Sequence, residues 1–191
     1  DTYGKDNDIY CAMSTSLLTT LVTTTTDTLR AIKLADEEYS LFEKRKMFEP
    51  LFLSSFAYLA GNYYVKSRKA SSAALEILNN NLNKRYAGPV VQNSSNYIDA
   101  GLSAINKKLE TIRYSYLADD TISYSLSMIK QNLLQAKLLI LEHSDSLGTN
   151  SFLTYLKDFA CVAVKDTKDQ LMADSIVNMF CRRTKEKFGE E

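Results

Sequence analysis

From residue 8 to 47 the chain places apolar or small side chains at Leu18, Leu21, Thr25, Thr28, Ile32, Ala35, Tyr39 and Phe42, in alternating steps of three and four. At 3.6 residues per turn this spacing keeps one stripe on one side of a helix. With no proline or glycine to interrupt it, the stretch predicts a single long amphipathic helix. The run Thr23–Thr26 inside it is β-branched, so packing by neighbours rather than local propensity has to hold it helical. A second long helix is predicted over 50–86. Pro50 suits its first turn, where the missing N–H leaves no bond unmade, and Phe52, Phe56, Leu59, Tyr63, Ala70, Ala74 and Ile77 continue the stripe. Gly61 in its interior predicts a close helix contact or a slight bend.

Residues 87–95, with Gly88-Pro89 and three polar residues at 93–95, predict a loop, and Ser95 or Asn96 is the expected cap of the next helix. The third segment has the cleanest pattern: Ile98, Leu102, Ile105, Leu109, Ile112, Tyr116, then Ile122, Leu126, Ile129, Leu133, Ala136, Ile140. The register slips by a residue across 118–121. Without glycine or proline there, one long helix over 96–144 is preferred, and two helices meeting at a turn capped by Asp120 are the alternative. A turn at 146–151 separates this segment from a last helix over 152–188. Four elements of such length, each spanning about 55–70 Å at 1.5 Å per residue, predict an all-α fold. The expected architecture is an elongated antiparallel bundle of about four long helices with coiled-coil-like packing, forming one domain over 1–191.

Composition agrees with this class. Only two prolines and six glycines occur in 191 residues, too few for a sheet-rich sandwich. Charge removes one function class: 23 basic residues balance 23 acidic ones, and no segment holds the basic excess of a nucleic-acid-binding domain. The uncharged stretches 9–26 and 50–65 fall short as membrane spans, the first through nine Ser and Thr residues and the second through its length. Both read as core helix, so no transmembrane segment is expected.

Cys11, Cys161 and Cys181 have no CxxC spacing, which argues against zinc or a redox motif. Up-down-up-down packing would set the start of the first helix beside the end of the fourth, so a Cys11–Cys181 disulfide is expected, with Cys161 left as a core thiol. That bridge, and a chain that begins at Asp1, predict an extracellular or periplasmic protein, with the cytoplasm as the alternative.

Candidate chemistry is sparse. His143 is the single histidine, and its neighbours Glu142, Ser144 and Asp145 point about 100° apart on a helix, so they cannot converge as a triad. Asp36-Glu37-Glu38 and Asp119-Asp120 read as solvated faces rather than metal ligands. The basic clusters at 44–46, 84–85 and 182–187 fall at predicted helix C-termini, where cations offset the macrodipole. No catalytic residue, cofactor or metal site is expected. Twelve tyrosines and no tryptophan are the compositional oddity. Tyr63 and Tyr116 fall on seam positions, whereas Tyr64, Tyr114 and Tyr124 are expected to face outward as a protein-binding patch. The function expected from these features is a non-enzymatic helical-bundle protein that binds a protein partner through its faces, with room for a homo-oligomer. The alternatives are a carrier enclosing an apolar small molecule or lipid between helices splayed around Phe52, Phe56, Tyr63 and 133–141, and a cytosolic coiled-coil adaptor.

Overall fold

The threonine run that begins at Thr23 ends a helix instead of passing through one. In a computed structural model describing residues 7–24, 27–81, 88–113, 120–142, 158, 174–175, 177–179, 181–182 and 185–186, helix α1 covers Asp8–Thr23 and helix α2 covers Thr28–Lys44. Hydroxyls along α1 donate to carbonyls one turn back, as Thr15 does to Cys11, Thr19 to Thr15 and Thr23 to Thr19. Bonds of this kind satisfy the side chain but loosen the ladder they lean on. Asp27 then caps a new helix, its carboxylate accepting the Arg30 N–H at 3.0 Å. The two helices fold back on each other: Arg45 pairs with Asp8 at 3.2 Å, and the Tyr10 hydroxyl donates to Glu38 at 2.6 Å. Residues that an unbroken helix would hold far apart are thus neighbours.

The same folding back recurs. Helix α3, Phe48–Ala60, follows a turn in which Lys46 has φ 53° and the Met47 N–H reaches the Phe42 carbonyl at 2.9 Å. Helix α4, Tyr64–Asn81, follows a turn in which Asn62 has φ 65° and the Tyr63 N–H reaches Tyr58 at 2.8 Å. Both turns are six-to-one closures with a left-handed residue, the way helices commonly end. Helix α5 covers Gly88–Arg113 and helix α6 covers Asp120–Glu142; they pack side by side, tied by Lys137 and Asp99 at 2.6 Å.

α3 lies in the middle, against α1, α2, α4 and α5. Eleven of its thirteen residues are buried, the expected fate of a helix apolar on every side. Small buried residues on α4, namely Ser67, Ala70, Ser71 and Ala74, let its neighbours approach closely. Ser55 and Ser67 exchange hydroxyl-to-carbonyl bonds across α3 and α4 at 2.9 and 2.8 Å, and the Asn132 amide of α6 donates to Ser71 and Ser72. Buried hydroxyls and amides are thereby paired across helices, which fixes their register.

All described residues outside turns are helical, so the all-α class holds. The four long helices do not: the described residues already contain six, because helices α1 and α2, α3 and α4, and α5 and α6 stand where three long ones were expected. The single helix expected over 96–144 is replaced by the packed pair α5 and α6, and Asp120 opens α6. The loop expected over 87–95 is mostly helix, since Gly88 and Pro89 sit in the first turn of α5, where proline's missing N–H costs nothing. The Cys11–Cys181 bridge is likewise absent. Cys11 is a buried thiol and Cys181 an exposed one. His143, Tyr114, Tyr116, Cys161 and the 84–85 cluster lie outside the described residues.

Candidate functional site

Two features stand out, a surface of stacked tyrosines and cations and an apolar cavity. The surface begins at Asp36 on α2. Its carboxylate accepts the Tyr58 hydroxyl at 2.8 Å and the Lys66 ammonium at 2.9 Å on both oxygens. Burial works to raise the Asp36 pKa, but the lysine and the tyrosine hydroxyl outweigh it and hold the carboxyl below its ordinary value. Burial, and then the bond to Asp36, push the Tyr58 hydroxyl upward. Tyr39 beside it is pushed up to about 12 by burial and the Glu43 charge. All three groups therefore keep a single protonation state through the neutral range.

Lys66 also lies 5.4 Å from the Tyr58 ring centre and 5.6 Å from that of Tyr63, and the Arg68 guanidinium lies 5.1 Å from that of Tyr124. Cation and ring hold each other in place at such distances. Tyr63 is 49% exposed and Tyr124 37%, with Val65 exposed between them in sequence. A groove of about 540 Å³ runs along this patch, lined by Tyr63, Tyr64, Val65, Lys66, Thr121 and Ile122. Ser125 lies in its wall with a buried hydroxyl that makes no hydrogen bond. Of the tyrosines expected to face outward, Tyr124 does so and Tyr64 is half buried, its hydroxyl donating to Asn62 at 3.0 Å. Tyr63, expected on the seam, is exposed instead. Its helix stops at Gly61, so the stripe that should have carried it inward restarts in a new register. The missed residues are Tyr63, Lys66 and Arg68; the readable signal was Gly61-Asn62, a pair suited to a left-handed helix end.

The cavity, about 480 Å³, lies between the α1–α2 junction and α5, with α3 as its floor. Leu21, Val22 and Ala31 form one wall, Leu53, Phe56 and Ala57 the floor, and Tyr97, Ala100, Gly101 and Ala104 the other wall. Gly101 is required by contact: a Cβ there would fall 2.3 Å from the Phe56 ring. Among the described residues the one charged residue in the lining is Lys108, whose ammonium donates to the Asn62 amide oxygen. Phe56 lines this cavity. Phe52 and Leu133–Leu141 do not; they are packed core.

One acidic residue departs from the expected solvated face: Glu38 is buried. Asp36 stays exposed while held by Tyr58 and Lys66, and Glu37, within 3.8 Å of Lys33, forms a solvated helix pair. Among the described residues no group of three His, Cys, Asp or Glu side chains could hold a metal ion, and no helix is long and apolar enough to cross a membrane. Compared with protein-family models, curated proteins and solved structures, the chain matches none.

Proposed function

We propose that this chain is a non-enzymatic helical protein that binds a protein partner through the tyrosine and cation surface at the α3–α4 turn. The observation that carries this reading is the pairing of exposed Tyr63 and Tyr124 with Lys66 and Arg68. Tyrosine and arginine are enriched in binding hot spots, tyrosine because it brings a large amphipathic contact area with few torsions to freeze and arginine because its planar guanidinium offers several donors. Holding the rings against cations before the partner arrives lowers the ordering cost of association. A Tyr63→Ser, Arg68→Ser, Tyr124→Ser triple variant tests it. A partner retained by the wild type should be lost by the variant at unchanged melting temperature; equal retention would remove this surface as the binding site.

A second reading, a carrier of an apolar small molecule, is favoured by the cavity beside α5. Its volume lies in the range of small-molecule sites, and its lining is apolar save for Thr23, Thr28 and Lys108.

A further inference from the structure

Resting on that second reading, we propose that the cavity binds a single-chain amphiphile with a carboxylate head, its chain along α5 and its head on Lys108. The cavity is one-sided in its chemistry. From Tyr97 to Ala104 the α5 wall offers an aromatic ring and then only small residues, opposite Leu21, Val22, Leu53 and Phe56. At 1.5 Å per residue, Tyr97 to Lys108 spans roughly 16 Å along the helix, a length that suits an extended hydrocarbon chain better than a compact ring system.

The charge falls at one end. Lys108 is half buried, and its ammonium is held by the neutral amide oxygen of Asn62; no carboxylate lies within ion-pair distance of it among the described residues. Asp36 neutralises Lys66 and Asp99 neutralises Lys137, whereas no carboxylate among the described residues pairs with Lys108 beside the apolar cavity. A carboxylate there would gain a charge-assisted bond in a partly water-excluded place. Asn62 would hold the lysine in position, fixed in turn by the left-handed turn that ends α3.

Calorimetric titration with monomeric dodecanoate and dodecanol tests this on the wild type and on Lys108→Met, Lys108→Arg and Ala104→Phe variants. The wild type should bind both, and dodecanoate more tightly. Lys108→Met should weaken dodecanoate about tenfold, the order of a bond to a charged group, and leave dodecanol unchanged, while Lys108→Arg restores the preference. Ala104→Phe, which fills the wall, should abolish both at unchanged melting temperature. Equal affinity for acid and alcohol in the wild type would overturn the head-group assignment and leave the carrier reading standing. No binding of either ligand would overturn both, as would a dimer that excludes dodecanoate or retention on anionic vesicles alone.

Discussion

Lys137 is a charged residue set among apolar neighbours. It is 4% exposed, on a stretch of α6 that is otherwise packed core, and its ammonium meets Asp99, which is 43% exposed. Removing the two partners should therefore have unequal effects. Asp99→Ala takes a carboxylate away from a buried ammonium and should destabilise by about 2–4 kcal/mol, whereas Lys137→Met leaves a carboxylate that water can reach and should lie within about 1 kcal/mol of the wild type; denaturant unfolding measures both. Asp36 gives a dependence on pH. Its folded pKa lies below the ordinary value of 3.8, so its contribution is present above that value and is lost as pH falls through the folded one. Asp36→Asn should cost under about 1 kcal/mol at pH 7, because the pair is half exposed, and the difference should shrink as pH falls below 3.8. Tyr58 runs the other way: its raised pKa means that its contribution holds below 10.0 and falls as pH rises past it.

At the scale of elements, the turns decide the architecture, and they depend on single residues. Lys46 adopts a left-handed conformation that disfavours a side chain with a Cβ. Lys46→Gly should accordingly stabilise the protein by about 0.5–1 kcal/mol, read as a rise in the denaturant midpoint. Gly101→Ala pits a better helix former against the Phe56 ring, and because an aromatic ring in a packed floor cannot yield as a methyl group would, overpacking should win by about 1–2 kcal/mol. The buried faces of these helices were legible in the sequence: Leu18, Leu21, Ile32, Phe42, Ala70, Ala74, Ile98, Ile105, Leu126 and Ile129 sit inward as their spacing predicts. The breaks were not. A stripe in steps of three and four passes through Thr23–Thr26 and Gly61-Asn62 without interruption, since periodicity reports which side a residue faces and says nothing of whether the helix continues. The decisive signals were local, Asp27 as a cap and Asn62 as a left-handed end.

For the molecule as a whole, hairpins in place of long helices change what the surface can do. An unbroken first helix would have no α1–α2 junction, and the wall formed by Leu21, Val22 and Ala31 would not close over α3. An unbroken second helix would carry Tyr63 on the seam, away from Lys66. The cavity and the tyrosine patch thus share one premise, which explains why neither could be placed from the sequence, although Phe56 and Tyr124 were singled out there. Lys108 was invisible for a related reason: in the pair Lys107-Lys108 on an amphipathic helix, either lysine reads as solvent-facing until the neighbour across the gap is known.

The premise can be tested by the distance between spin labels at positions 8 and 45 in a chain whose native cysteines are replaced. Asp8 and Arg45 form an ion pair in the folded-back arrangement, so the labels should lie within about 20 Å, allowing for two linkers and the 8–10 Å between packed helix axes. A separation near 55 Å, the length of about 37 helical residues, would contradict the α1–α2 hairpin and take the cavity with it.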